Sequence, residues 1–122
     1  MSAPTHEDAM VLLKLYEIGI APDQGKAWDF VRSEEFTDDY QAFTKKYPRN
    51  SEQFGYVLTY AAWFELTATL WKHKLLNQDL LFDWVLVRPR WNALEKFMSG
   101  YRQEMKEPRL FENFEALAKA EP

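Results

Sequence analysis

One carboxylate stands out among the residues whose type and position could support chemistry. Glu65 is the only Asp, Glu, Lys or Arg between Phe54 and Trp71, within an otherwise apolar stretch. On a helix, the residues three and four positions away from it are all small, namely Ala61, Ala62, Ala68 and Thr69. Small neighbours leave room for a second helix or for the floor of a pocket. Three interpretations stay open: a core ion pair or hydrogen bond, a ligand-contacting carboxylate, or an exposed side chain.

Two arginines form the second candidate. Arg88 and Arg90 flank Pro89 and precede Trp91. This mixture of cations and an aromatic ring could clamp an anion or stack on a planar group, including part of a nucleic-acid backbone. The alternative is a solvated kink whose arginines pair with nearby acids. The sequence does not choose between these two interpretations.

The two candidates could belong to one cleft. We expect Glu65 to be mostly buried and paired with a cation or polar donor from a facing helix, because an unpaired buried carboxylate would take up a proton. The expected partners are three arginines of the following helix, Arg88, Arg90 and Arg102. We therefore take Glu65, Arg88 and Arg90 as candidate ligand-binding residues.

Two further groups have simpler explanations. Asp79 and Asp83 lie four residues apart and could supply two ligands for a hard cation, but an acid near a helix start is explained by the helix dipole. His73 lies between Lys72 and Lys74 at a helix end, where a cation is equally favourable. We predict no metal site from these residues.

Motifs for catalysis are not found in the sequence. The four glycines are too far apart for a P-loop or a G-x-G-x-x-G turn, and neither His belongs to an H-E-x-x-H or E-x-x-H pattern. With no Cys there is no zinc ribbon, disulfide or thiol chemistry. We therefore predict no catalytic residue, no metal and no cofactor.

Length and charge limit the class of protein. The 122 residues fit a single domain, 1–122, with one core. The net charge of −4 and pI of about 5.2 argue against nucleic-acid binding, which requires clustered cations. The first residues lack the pattern of a signal or transit peptide, so we expect a cytoplasmic protein. Residues 54–71 are barely long enough for a membrane span and contain Glu65, so we expect a core helix and no membrane contact.

That stretch is the expected centre of the fold. Its large apolar residues, including Trp63 and Phe64, would lie all around a helix, which is typical of a helix surrounded by others. We predict a central buried helix over about 51–76, capped by Asn50 or Ser51. The next helix, about 79–105, must be kinked or broken, because Pro89 lacks the donor that the carbonyl of Val85 would need.

Shorter amphipathic segments complete an all-α prediction of five to six helices packed as a small bundle. The first helix runs from about His6 to Ile18 behind a capping box of Thr5 and Asp8. Its core face is predicted from the spacing of four residues, Ala9, Leu12, Leu13 and Tyr16. Later segments place their apolar stripes at Ala27, Phe30 and Val31 and at Phe36, Tyr40, Phe43 and Tyr47. A last helix is expected from about Pro108 to Lys119.

Several of these segments also carry a resemblance. HEDAMVLLKLYEI, the W-x-F-V segment at 28–31, WFELTATLWKHKLLNQDLLFDW and LFENFEALAKA are similar to an uncharacterised bacterial family of small helical proteins, catalogued as a domain of unknown function. The resemblance covers most of the chain and implies an all-helical fold with a Glu in the central helix. It implies no activity, cofactor or catalytic residue.

Two functions remain open. The first is an interaction or regulatory module without catalytic activity, whose partner is a second copy or another protein. We expect a homodimer at micromolar concentration, because five Trp and nine Phe are hard to bury in one small core. The alternative is a small-ligand-binding protein or enzyme that uses a helical cleft with Glu65 and the nearby arginines.

Overall fold

The computed structural model describes residues 3–122, and within them the chain folds into helices and contains no strand. Seven α-helices follow one another: α1 His6–Gly19, α2 Pro22–Val31, α3 Tyr40–Lys46, α4 Glu52–Lys72, α5 Gln78–Trp84, α6 Arg88–Met105 and α7 Glu112–Ala120. The all-α prediction is confirmed. The predicted number of five to six helices is slightly too low, because the segment over 79–105, expected to be kinked or broken, forms two separate helices.

Local capping residues set most helix starts. Thr5 and Asp8 form the predicted capping box of α1. Asp39, Ser51 and Asn77 each accept a hydrogen bond from the backbone N–H three residues later, at the starts of α3, α4 and α5. The caps of α1 and α4 were predicted from the sequence, because a cap and its donor are close neighbours in the chain.

The break between α5 and α6 lies where Pro89 requires it. The chain leaves the helix at Val85, which is extended, and resumes at Arg88, so that Pro89 occupies the first turn of α6. The N–H groups of a first helical turn have no partner within the helix, so Pro is tolerated there. The predicted break is confirmed.

Helix α4 supplies eight buried residues, including Trp63 and Phe64, and packs mainly against α2 and α7. It ends at Lys72, whereas the sequence predicted a helix to about residue 76. Lys74 adopts a left-handed conformation with φ of 61°, and the N–H of Leu75 bonds to the carbonyl of Leu70 at 2.8 Å. This is a Schellman termination with Lys in place of the usual Gly. The sequence therefore gave no glycine signal for it.

Aromatic rings fill the core on the α3 and α6 side. Phe43 lies edge-on against Phe97, with ring centroids 5.1 Å apart, and the predicted stripe of α3 faces inward. The backbones of α3 and α6 come very close at Gly100, where an added Cβ would lie 2.4 Å from the Cβ of Tyr40. Gly100 therefore permits this helix contact.

The core face predicted for α1 is wrong at three of its four residues. Ala9, Leu13 and Tyr16 are exposed, Leu12 is partly buried against the core, and Leu15 is the buried residue of this helix. The carbonyl of Leu15 accepts a hydrogen bond from the indole of Trp63 at 2.9 Å, which orients the helix. Apolar residues occur on nearly every side of α1, so spacing alone could not identify the inward face.

In the described part of the chain, no helix combines the length and the apolar character needed to cross a bilayer.

Candidate functional site

Glu65, on α4, caps the N-terminal end of α7. Its Oε1 accepts a hydrogen bond from the backbone N–H of Phe114, in the first turn of α7, at 2.9 Å. The N-cap residue of α7, Phe111, is left-handed and offers no polar side chain. Glu65 therefore supplies the acceptor that Phe111 lacks, and its negative charge suits the positive end of the helix dipole. One turn later on α4, Thr69 accepts from the side chain of Asn113 at 3.1 Å.

This contact corrects the predicted pairing of Glu65. The expected polar donor from a facing helix exists, but it belongs to the main chain, and no ion pair among residues 3–122 joins Glu65 to Arg88, Arg90 or Arg102. The reason lies in the packing order, because α4 packs on α2 and α7 while α6 packs on α3 and α7. The last helix also starts later than expected, at Glu112, with Pro108 in the turn before it.

Arg88 and Glu121 join the start of α6 to the end of α7, because the side chain of each bonds to the backbone of the other. The carboxylate of Glu121 accepts from the backbone N–H groups of Val87 at 3.0 Å and Arg88 at 2.7 Å, at the start of α6. In return, the guanidinium of Arg88 donates to the carbonyls of Ala118, at 3.3 Å, and Glu121, at the end of α7. Each helix end thus receives the charge that its dipole favours. Arg88 is engaged in this contact and does not approach Glu65.

Arg102 stabilises the same pair of helices. Its guanidinium forms an ion pair with Glu115 at 3.0 Å and donates to the carbonyl of Leu110 at 2.8 Å. Burial acts to raise the pKa of the Glu115 carboxyl, but hydrogen bonds from Lys119 and Arg102 outweigh it, so that the pKa is lowered. Glu115 therefore stays ionised, and this cluster of charges is consistent with a role in helix packing.

The remaining candidates of the sequence are surface residues. Asp79, Asp83 and His73 are all exposed, Asp79 in the first turn of α5 and His73 at the end of α4. Within the described residues, no group of three or more His, Asp or Glu side chains is placed to hold a metal ion.

Arg90 reaches a different place, which we call the tryptophan pocket. This cavity of about 430 Å³ lies where α1, α2 and α4 meet the α5–α6 break. Its walls include three tryptophans, two further apolar residues and one cation, namely Trp28, Trp63, Trp84, Tyr16, Val85 and Arg90. Adjacent indoles meet edge to face, with centroids 6.4 Å apart for Trp28 and Trp63 and 5.8 Å apart for Trp63 and Trp84.

Arg90 is held against these rings. Its guanidinium lies over the indole of Trp28, 5.5 Å from the ring centroid, which is a cation–π contact. It also lies beside Tyr60: burial raises the pKa of the Tyr60 hydroxyl, and the positive charge of Arg90 opposes that rise. Arg90 takes part in no ion pair among the residues described. Its charge is therefore only partly compensated.

An exposed apolar surface adjoins the pocket. Six large side chains on α1 and at the α5–α6 break are between 43 and 67 % exposed: Met10, Leu13, Tyr16, Ile20, Trp84 and Leu86. We call them the apolar patch. The rings of Tyr16 and Trp84 touch, with centroids 6.4 Å apart, and the four last-named residues also border the tryptophan pocket. The patch is continuous across two segments of the chain.

The structure therefore separates the three predicted site residues. Arg90 borders a pocket, while Glu65 and Arg88 cap different ends of α7. Sequence reasoning missed Glu121 and the pocket tryptophans. The apolar residue Val87, two positions before Pro89, was a signal that an acceptor from elsewhere must cap α6, but nothing local identified Glu121 as its source.

Comparisons with known proteins agree with the expected family. Neither the curated proteins nor the solved structures gave a significant match. A family model described as "Domain of unknown function (DUF4760)" matches residues 4–120, which is nearly the whole chain. The resemblance seen in the sequence is thus confirmed: the chain belongs to the family Domain of unknown function (DUF4760).

Proposed function

We propose that this chain is a small protein-interaction module without catalytic activity, built as a bundle around α4, and that it acts as a homodimer. The eight buried residues of α4 support its place at the centre. The observation that carries the proposed interaction is the apolar patch. A contiguous apolar surface of this kind is typical of a protein contact surface.

A second copy of the chain is the occupant that the patch favours. The most common homodimers pair one surface with itself around a two-fold axis, so the surface must be self-complementary. No side chain of the patch is charged, so two patches can meet without like-charge repulsion. The chain as a whole carries a net charge of −4, which opposes association through its other surfaces.

The aromatic content of the chain does not by itself support this dimer. Among the described residues Trp84 is the only exposed tryptophan, and every phenylalanine is buried or partly buried. Nearly all of the Trp and Phe rings are therefore accommodated within one protomer. The support comes from α1 and the residue that follows it, where the long aliphatic side chains Met10, Leu13 and Ile20 are exposed.

Sedimentation velocity over a concentration range of about 1–200 µM tests the proposal. We expect a concentration-dependent shift from monomer to dimer, and a Leu13→Glu variant should shift only at higher concentration. Leu75→Glu is the matched control, because Leu75 is 58 % exposed outside the patch and Leu13 is 61 % exposed within it. A parent chain that remains monomeric throughout, or equal effects of both variants, would contradict the proposal.

The proposal includes a cytoplasmic location and a bacterial source, which are predictions from the sequence and the resemblance. Fractionation of cells that express the full chain checks the first, and recovery in the membrane or exported fraction would contradict it.

A further inference from the structure

The tryptophan pocket has the size of a small-molecule site. Pockets that bind small ligands have volumes of roughly 300–1,000 Å³, are mostly apolar and contain a few polar groups that orient the ligand. The tryptophan pocket, at about 430 Å³, combines three indoles with a single charged residue, Arg90. These features belong to a partly open cavity within one protomer, and its rim shares Tyr16, Ile20, Trp84 and Leu86 with the apolar patch.

Charge decides which kind of ligand suits this pocket. Indole walls alone could bind either a cation or a neutral ring, because the face of an indole attracts positive charge. Here the guanidinium of Arg90 already lies over the face of Trp28, and no acidic residue borders the cavity. A cationic ligand would therefore meet uncompensated like charge, whereas an anion would be attracted.

The geometry of Arg90 favours a singly charged, planar anion. An arginine binds a carboxylate through two parallel N–H···O bonds, and the low dielectric of an apolar pocket strengthens such bonds. The cation–π contact with Trp28 positions the guanidinium, which also lies near Tyr60. Flat rings match the edge-to-face indoles that form the rest of the wall.

We propose that the tryptophan pocket binds a small carboxylic acid with a flat apolar body, with its rings among Trp28, Trp63 and Trp84 and its carboxylate on Arg90. This assigns a binding site to the α5–α6 break. Such a ligand would also supply the anionic partner that Arg90 lacks among the described residues. Arg49, Arg102 and Arg109, by contrast, each form an ion pair there.

The first test compares 2-naphthoate with its neutral analogue 2-naphthamide on the full chain. By calorimetry we expect naphthoate to bind with a Kd between about 10 µM and 1 mM, and naphthamide about tenfold or more weakly. In ¹H–¹⁵N spectra, the indole N–H signals of Trp28, Trp63 and Trp84 should shift on titration. Those of Trp71 and Trp91, which lie outside the pocket, should stay in place. Equal affinity for acid and amide, or no shift of the pocket signals at millimolar ligand, would overturn the proposal.

Variants then test the role of Arg90. Arg90→Gln should weaken naphthoate binding by about tenfold or more while leaving naphthamide binding unchanged. Arg32→Gln is the matched control, because Arg32 is exposed and does not border the pocket, so the same loss of charge should have little effect. Equal weakening by both variants would mean general attraction by charge and would overturn the assignment. If Arg90→Gln does not fold, the acid and amide comparison on the parent chain still decides.

A third variant separates this inference from the proposed dimer. Leu13→Glu alters the apolar patch outside the pocket, so it should bind naphthoate at least as tightly as the parent chain, whether or not the chain associates. Loss of naphthoate binding in this variant would mean that the ligand needs the dimer contact, and would overturn a site formed by one protomer.

Discussion

Replacing Gly100 by Ala should destabilise the protein, although the same change usually stabilises a helix. An Ala Cβ at this position would lie 2.4 Å from the Cβ and 2.6 Å from the Cγ of Tyr40. Carbon atoms in contact are normally about 3.5–4.0 Å apart, so α3 and α6 must separate by about 1 Å. The Cβ of Tyr40 is fixed to its backbone, so no change of rotamer can relieve the overlap.

The expected magnitude follows from two opposing effects. Overpacking of a core contact costs about 1–3 kcal/mol, and we expect the upper end here because a backbone must move. Ala gains about 1 kcal/mol over Gly in a helix interior. Gly100→Ala should therefore lower the free energy of unfolding by about 2 kcal/mol.

Gly55→Ala is the matched control. Gly55 also lies inside a helix, but it is exposed and its added Cβ would have no atom within 4 Å. This variant should raise the free energy of unfolding by about 1 kcal/mol. Urea unfolding followed by far-UV circular dichroism measures both, and the two variants should differ by about 3 kcal/mol. If both variants raise the free energy of unfolding by the same amount, α3 and α6 do not approach each other closely at Gly100.

Three further predictions concern single side chains. Glu65→Leu should lower the free energy of unfolding by about 1–3 kcal/mol, because the N–H of Phe114 loses its acceptor. Glu65→Gln retains an acceptor, so its free energy of unfolding should fall less. Equal losses of stability in urea unfolding would refute the capping role of Glu65. Glu121→Ala should cost about 2 kcal/mol by the same measurement, because it leaves the start of α6 uncapped, and an unchanged midpoint would refute this. Burial and the nearby Glu104 raise the pKa of Tyr40 to about 12, from 10.0. The unfolded chain thus loses this proton first, and stability should fall as the pH rises from about 10 to 12, a fall that should be smaller in Tyr40→Phe.

Features that depend on neighbouring residues could be predicted from the sequence. The capping box of Thr5 and Asp8 acts over three residues, and the break at Pro89 follows from one missing N–H. The apolar residues of α4 also indicated, without any tertiary information, a helix that supplies much of the core, although Ala62 and Leu66 are exposed.

Features that depend on distant residues could not be predicted. Glu65 and Glu121 cap helices through contacts that span 49 and 34 residues of sequence. Their partners are backbone N–H groups, which every residue but Pro has, so the sequence contains no specific signal for them. The orientation of α1 could not be predicted for a related reason, because its apolar residues allow several inward faces. The observed face buries Leu15, whose carbonyl accepts a hydrogen bond from Trp63. This orientation places Tyr16 beside the tryptophan pocket.

The two remote caps also determine how α7 unfolds. A nine-residue helix is too short to persist alone in water, and here its first turn is bonded to Glu65 while its last turn is clasped to the start of α6. Neither end can fray without breaking a contact to another helix. The ring of Phe114 also stacks on that of Phe64 in α4. The amides of Phe114 and Val87 should therefore exchange with solvent only when the whole domain unfolds. The C-terminal helix is thus a cooperative part of the folding unit, and a chain cut before Glu112 would lose the fold as well as the helix.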